Sequence, residues 1–234
     1  MTEWKARRFW KSVTVEPLDE GFGIRLDDRP VRTPGKLALR VPTRALAQEI
    51  AEEWELQDGV IDPLSMPFTR AANSAVEKVA PQRAEVAAML AGYGDSDLLC
   101  YRAAAPDELV ARQAAAWDPL LDWAKTRHGA RLIPVQGVMY KPQPPAALRA
   151  LAAEVEALTP FRLTGFHDLV ALSGSLVIGL AAAADHKPPE ALWTLSRIDE
   201  DWQQEQWGTD DEAAEAAEAR RRDFLRAYRF FHLS

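Results

Sequence analysis

The sequence predicts an α+β protein: a small N-terminal antiparallel sheet domain with a helix, followed by a larger all-helical domain. Three observations lead to this prediction. Apolar and polar residues alternate over roughly the first third of the chain, and helical spacing of apolar residues replaces this alternation afterwards. Between the two patterns, Pro63 and Pro67 prevent a continuous helix. We therefore predict residues 1–68 as the α+β domain and residues 69–234 as the helical domain.

The strands are predicted within the first domain. Residues 9–15 and 22–26 are rich in aromatic and β-branched side chains, which favours strands. Residues 27–30 form a plausible turn, and alternation resumes over residues 37–41. Together these segments predict a small antiparallel sheet.

Helices account for most of the remaining chain. Thr43 can cap a helix that runs to about Gln57, with Leu46, Ile50 and Trp54 on its apolar stripe. Beyond the proline break, Pro, Gly and Asp residues separate seven helical patterns. These patterns cover residues 69–79, 82–91, 107–127, 145–158, 166–184, 189–207 and 210–231.

Composition excludes several classes of protein. With 234 residues and 47% hydrophobic content, the chain is long and apolar enough to form a packed core rather than a disordered segment. Its net charge of -7 argues against nucleic-acid binding, which requires clustered Lys and Arg. The apolar segment 169–184 is shorter than the roughly 20 residues of a bilayer span. We predict it to be a buried central helix and expect no membrane insertion.

Motifs for catalysis, metals or cofactors are missing from the sequence. The single cysteine, Cys100, excludes an internal disulfide and a cysteine zinc site. Residues 174–179 have the glycine spacing of a phosphate-binding loop, but Leu180 and Ala181 stand where that motif needs Lys and Ser or Thr. The four histidines do not have metal-ligand spacing; they are His128, His167, His186 and His232. We predict no catalytic residue, no metal and no cofactor.

The most unusual segment is residues 199–208, where two tryptophans lie among acids and glutamines. If residues 189–207 form one helix, Trp193, Glu200 and Trp207 share one face because residues seven apart nearly align. A second face then carries Leu192, Leu195, Asp199, Trp202 and Gln206. A carboxylate among indoles needs a hidden partner in the core or a charge-assisted contact to another molecule. The segment therefore indicates a protein-binding surface.

A series of strings along nearly the whole chain resembles one family. In order they are residues 8–11, 26–34, 51–57, 61–67, 95–102, Gln113 with 117–123, 173–175, and 199–208 with Asp210, Glu212 and Ala213. They are similar to the assembly chaperones of F-type ATP synthase that handle the α subunit of the catalytic head in mitochondria and alphaproteobacteria. Each string alone is a weak signal, but their common order makes the resemblance specific.

The resemblance implies a chaperone and not an enzyme. Such a protein binds the unassembled α subunit and shields the surface that later contacts the β subunit. It also implies a location in the bacterial cytoplasm, or in the mitochondrial matrix for eukaryotic relatives, and a chain that is a monomer when free. The expected client-binding residues are Asp199, Glu200, Trp202, Trp207, Asp210 and Trp54.

Each of these assignments has an alternative. Core packing is the favoured explanation for a tryptophan at positions 54, 117, 123 or 202. Asp199 and Glu200 can form an intramolecular salt bridge, for example to Arg197. A different class of function also stays open: a small-molecule hydrolase or transferase in which Asp95, Asp97 and Glu200 converge in an acidic cleft between the two domains.

Overall fold

The computed structural model describes residues 7–208 and 210–234. Contacts between Cα atoms divide the chain into two compact units. The first unit contains the chain up to Arg83 together with Thr159–Gly165 and Arg229–Ser234, and the second contains Ala84–Leu158 and Phe166–Tyr228. The predicted α+β class is confirmed. The domain boundary predicted after residue 68 stays a prediction, and the two units divide the chain at other positions.

The first unit is built on a small antiparallel sheet with β2 at its centre. β1 (Val13–Pro17) pairs along the whole of β2 (Phe22–Leu26), in a register that places Val13 opposite Leu26. The short strands β3 (Arg29–Pro30) and β4 (Arg40–Val41) pair with opposite ends of β2. The strand predicted over residues 9–15 thus begins later than expected, at Val13.

Helix α1 (Arg44–Glu55) begins at Thr43, whose hydroxyl accepts a hydrogen bond from the Leu46 amide as predicted. α1 packs on the sheet, and the core between them includes residues from distant parts of the sequence. Its buried members are Trp10, Ile24, Leu26, Val31, Leu39, Val41, Leu46, Ala47, Ile50, Phe68, Ala72 and Phe230. Phe68 and Ala72 lie on α2 (Pro67–Ser74), which a π-helical turn, Ala75–Val79, extends. This packing explains why the first unit continues past residue 68.

The second unit is mainly helical, with one pair of two-residue parallel strands, β5 (Tyr101–Arg102) and β6 (Val135–Gln136). Among the described residues, the remaining helices are α3 (Arg83–Ala91), α4 (Asp107–His128), α5 (Pro145–Glu156), α6 (Pro160–Ser173), α7 (Leu176–Ala183), α8 (Pro189–Leu195), α9 (Ile198–Trp207) and α10 (Asp211–Leu233). Short 3-10 turns lie at Pro63–Ser65, Gly92–Ser96 and Leu98–Cys100.

The single helix predicted over residues 166–184 is wrong. α6 ends at Ser173, Gly174 adopts a left-handed φ of 69°, and Ser175 caps the start of α7 by accepting from the Ile178 amide. A glycine in the left-handed region followed by a serine cap is a standard way to end one helix and begin another. The predicted burial is confirmed for α7, since every residue from Leu176 to Ala182 is buried.

The single helix predicted over residues 189–207 is also wrong, because α8 ends at Leu195 and α9 begins at Ile198. The Ser196 hydroxyl donates to the Trp193 carbonyl, and this local bond competes with continuation of the helix. Trp193 therefore does not share a helix face with Glu200 and Trp207. Instead it is buried in the second unit against Phe224.

Within residues 7–208 and 210–234, none of the helices combines the length and apolar composition that crossing a bilayer requires.

Candidate functional site

Helix α9, which carries most of the predicted site residues, is held by polar contacts to α4. The Gln113 side chain donates to Asp199 Oδ1 at 2.6 Å, and Arg112 pairs with Glu205 at 2.7 Å. Just before α9, the buried indole of Trp117 donates to the Leu195 carbonyl at 2.7 Å. These contacts fix the position of α9 and leave its other side free to face solvent.

Exposure increases along α9 from its first turn to its last residue. Asp199, Glu200 and Trp202 are half-buried, whereas Trp207 is 78% exposed. Among the described residues, Trp207 is the only tryptophan in the set of exposed large apolar side chains. An indole is amphipathic and large, and it usually lies against another surface. The end of α9 therefore presents an aromatic side chain that does not pack in the core.

The first turn of α9 contains Asp199, Glu200 and Asp201, where the partial positive charge of a helix N-terminus favours acids. Glu200 pairs with Arg197 at 2.7 Å, and the Arg197 guanidinium lies 5.7 Å from the ring centre of Trp193. Burial raises the pKa of Asp201, although the charges of Arg197 and Arg112 oppose this rise. The hydrogen bond from Arg112 lowers the pKa of Glu205. The nearby arginines thus offset only part of the acidic charge of this turn.

Asp210 acts at the start of the next helix. Gly208 ends α9 with a φ of 91°, and the Asp210 carboxylate accepts from the Glu212 amide at 2.9 Å. A carboxylate in this position caps the exposed amides of a helix N-terminus. Asp210 is exposed, so capping still leaves it accessible beside the last turn of α9. The neighbouring residue 209 lies outside the described residues.

Trp54 belongs to a different part of the molecule from the other predicted site residues. It lies on α1 in the first unit, where its ring contacts Trp10 edge-on at a centroid distance of 5.3 Å. It packs against the core of that unit and is half-buried. The structure therefore places Trp54 in core packing, while Asp199, Glu200, Trp202, Trp207 and Asp210 lie on α9 or just after it.

The acids considered for an enzymatic cleft have structural partners instead. Asp97 is fully buried and accepts from the Leu99 amide, the Ser175 hydroxyl and the Val177 amide, at 3.0, 2.7 and 3.0 Å. Burial raises the pKa of Asp97 to about 6, partly offset by these hydrogen bonds. Asp95 accepts from the Gln143 amide and the Tyr140 hydroxyl, and these bonds lower its pKa.

Sequence reasoning missed the cation and the amide by which α4 contacts α9. Arg112 and Gln113 are far from α9 in sequence, and only the helical arrangement brings them to Glu205 and Asp199. Gln113 belongs to one of the sequence strings that resemble the family, but the sequence alone predicts no contact for it. It also accepts from the Ala103 amide at 2.8 Å, so it links α9 to the segment before α4.

Across residues 7–208 and 210–234, the His, Cys, Asp and Glu side chains form no group of three or more that could hold a metal ion. The arrangement around α9 combines an exposed indole with partly compensated carboxylates on a fixed helix. Such a combination can bind a protein surface that offers apolar area and basic side chains.

Comparison with known families also indicates a protein that binds other proteins. A family model described as ATP12 chaperone protein matches residues 7–125. The chain belongs to the ATP12 chaperone family, whose members are ATP synthase assembly factors. It is thus an assembly chaperone and not an enzyme, as the sequence strings indicated.

Individual relatives agree with this assignment. The chain is 23% identical over 221 residues to the mitochondrial protein atp12 of Schizosaccharomyces pombe, covering 89% of this chain and 76% of the relative. It is 54% identical to Atp12 from Paracoccus denitrificans, whose crystal structure it matches with a TM-score of 0.95 over 99% of both chains. A lysine-for-aspartate mutant of the P. denitrificans protein matches with a TM-score of 0.96 and 53% identity, again over 99% of both chains.

Proposed function

We propose that this chaperone binds the unassembled α subunit of the F-type ATP synthase head and shields its subunit interface until the head assembles. An interface of an obligate complex is large and apolar, so a subunit without its neighbours exposes a surface that tends to self-associate. A chaperone for such a subunit must cover this surface and then release it. The proposed contact surface, which we call the α9 surface, comprises Asp199 to Trp207 and Asp210.

The observation that supports this proposal most is the exposure of Trp207 at the end of a helix that is otherwise held firmly. Energetically important residues of interfaces are enriched in tryptophan. α9 is fixed to α4 through Gln113 and Arg112, so little conformational freedom is lost when a partner binds. Preorganisation of this kind favours affinity.

The charge of the α9 surface indicates the chemistry of the partner. Asp199 is engaged with Gln113 and Glu200 with Arg197, while burial raises the pKa of Asp201. A basic group of the client that approaches this turn would stabilise the ionised carboxylates, with Asp201 gaining most. Charge complementarity of this type contributes specificity and association rate. We therefore add Asp201 to the residues that are proposed to contact the α subunit.

A substitution at Trp207 tests the proposal. We expect Trp207→Ala to weaken binding to the purified α subunit at least thirtyfold, because a central aromatic contact contributes about 2 kcal/mol or more. Thermal stability should stay unchanged since the side chain is largely exposed. Binding can be measured by titration calorimetry and unfolding by circular dichroism.

The matched control is Leu64→Ala, which removes another large apolar side chain that is 76% exposed but lies on the 3-10 turn of the first unit. It should leave α-subunit binding at the wild-type level. If Trp207→Ala binds as tightly as this control, the α9 surface is not the contact surface.

We further propose that the free chain is a monomer located in the bacterial cytoplasm. The similarity to P. denitrificans Atp12 over 99% of both chains supports a bacterial setting. Equilibrium sedimentation of the purified chain tests the monomer, and cell fractionation tests the compartment.

A further inference from the structure

The connection between α4 and α5 contains an exposed apolar segment that the α9 surface does not explain. From Gly129 to Pro144 its only regular structure is the two-residue strand β6. Connections longer than about 12 to 15 residues are uncommon in compact folds and are often functional. We call residues 133–140 the apolar loop. Its large exposed side chains are Ile133, Val138, Met139 and Tyr140.

Exposure within the apolar loop is concentrated at its tip. Val138 is 91% exposed and Met139 75% exposed, and Tyr140 beside them is also exposed. Single exposed apolar residues are normal on protein surfaces, but adjacent ones form a patch that marks an interaction site more often. Methionine is also common in surfaces that bind apolar partners because its side chain adapts to their shape.

The framework of the apolar loop is held by buried polar groups. The buried Gln143 side chain accepts from the Ile133 amide at 2.8 Å and donates to the Ile133 carbonyl at 2.9 Å. Asp95 accepts from the Gln143 amide at 2.7 Å and from the Tyr140 hydroxyl at 2.6 Å. In addition, the Gly137 amide donates to the Arg102 carbonyl at 2.8 Å. These bonds fix both ends of the loop.

This framework keeps the apolar side chains at the tip exposed. A flexible loop could fold back and cover its own apolar residues, which would be favourable in water. Here Asp95 and Gln143 hold the ends, and Gly137 takes a φ of 84° that directs the chain into the tip. The apolar side chains are thus presented outward by a preorganised loop, which lowers the entropy cost of binding a partner.

The cationic residues that flank the apolar loop in sequence distinguish this loop from the α9 surface. Arg131 and Lys141, both exposed, flank the apolar loop, whereas α9 begins with three acids. A partner of the loop should therefore offer an apolar area with acidic groups at its edge. The established class of this chain supplies an apolar partner, because subunits awaiting assembly expose apolar interfaces. The charges of Arg131 and Lys141 would then select an acid-edged part of such an interface.

We infer that the apolar loop is a second client-contact element, which covers an apolar, acid-edged part of the interface of an unassembled ATP synthase subunit. This inference rests on the proposed function only for the identity of the subunit. Burial of the Val138 and Met139 side chains against the client provides the affinity, and Arg131 and Lys141 orient the contact.

Photo-crosslinking in cells that assemble ATP synthase tests the inference with the full chain. A photoreactive benzoylphenylalanine replaces Met139, or Met89 as a control, or Trp207 as a reference on the α9 surface. Met89 is a half-exposed methionine on α3. Crosslinked products are identified by mass. We expect adducts between position 139 and a subunit of the ATP synthase head, and none at position 89.

The outcomes separate the two proposals. An adduct of position 139 with a head subunit other than α supports the loop contact and overturns the choice of the α subunit. An adduct only with a second copy of this chain, or none at position 139 while position 207 reaches the α subunit, overturns the loop contact and keeps the proposed function. If neither position reaches any head subunit, both proposals are wrong.

The contribution of the loop to affinity is measured with polar replacements of nearly unchanged shape. When each protein is purified from the same cells, the double variant Val138→Thr with Met139→Gln should carry with it at least tenfold less ATP synthase subunit than wild type. The matched variant Met89→Gln should recover the wild-type amount. Equal melting temperatures of the purified variants show that folding is intact. Wild-type recovery by the double variant would overturn the inference.

Discussion

Helices α7 and α9 both begin beside carboxylates, yet the two sites differ in burial and in partners. At α7, Asp97 is fully buried and receives hydrogen bonds from Ser175 and from the Val177 amide. At α9, Asp199, Glu200 and Asp201 are only half-buried. The comparison shows that an acid at a helix N-terminus is not a functional signal by itself. Its burial and its donors distinguish a folding role from a binding role.

The largest expected effect concerns the folding role. Asp97→Ala removes the acceptor of three buried donors, and each unsatisfied buried donor costs about 1 to 3 kcal/mol. We expect the free energy of unfolding to fall by about 3 to 5 kcal/mol at neutral pH. Urea denaturation followed by circular dichroism measures this change.

Asp122→Ala is the matched control because Asp122 is exposed on α4. Its effect should stay within about 0.5 kcal/mol, as for most surface substitutions. If Asp97→Ala is as mild as this control, Asp97 has no special role in the fold, and the comparison between α7 and α9 fails.

The folding role of Asp97 should also appear in the dependence of stability on pH. Burial raises the pKa of Asp97 from its ordinary value of 3.8 to about 6. When the pKa of a carboxyl is higher in the folded chain than in the unfolded chain, the folded chain binds the proton more tightly. The resulting stabilisation is fully present below the unfolded-state pKa, and it is lost as the pH rises through the folded-state pKa. The shift corresponds to at most about 3 kcal/mol. Between about pH 4 and pH 6, the stability of wild type should therefore fall relative to that of Asp97→Asn.

The measurement is urea denaturation of both proteins at intervals over this range, with the difference in unfolding free energy plotted against pH. Asp97→Asn lacks the titrating group, so the difference isolates its contribution. A difference that is flat from pH 4 to pH 7 would show that the Asp97 carboxyl titrates alike in the folded and unfolded chain.

Much of the fold was predictable from local pattern. Alternation predicted β2, and the spacing of Leu46, Ile50 and Trp54 together with the Thr43 cap predicted α1. The two wrong helices fail for a common reason. Apolar spacing continues through Gly174 and through Ser196, whereas a left-handed φ at Gly174 and a hydrogen bond from the Ser196 hydroxyl to the Trp193 carbonyl accompany the ends of the helices there. Periodicity does not report such local bonds.

The candidate site was predictable in composition but not in geometry. The sequence 199–208 shows the acids and tryptophans, and the structure places them on one helix whose exposure increases toward Trp207. However, the alignment of Trp193 with Trp207 depended on a continuous helix, which the break at Ser196 removes. The contacts of Gln113 and Arg112 join residues far apart in sequence, and no spacing rule predicts them. The client-binding role of the site residues stays a prediction.

A small expected change in stability accompanies the most informative change in binding. Glu200→Lys breaks a partly exposed ion pair with Arg197, and ion pairs that water reaches contribute about 1 kcal/mol or less. Asp199→Lys instead removes the acceptor of the buried Gln113 amide. It should therefore be less stable than Glu200→Lys. Both reverse a charge that is proposed to face a basic group of the client.

The most direct test of the α9 surface is the affinity of Glu200→Lys for the purified α subunit, with thermal unfolding measured on the same preparation. We predict a protein that melts within a few degrees of wild type and binds at least thirtyfold more weakly, which corresponds to about 2 kcal/mol. A Glu200→Lys variant that stays folded and binds the α subunit with wild-type affinity would show that the first turn of α9 does not contact the client.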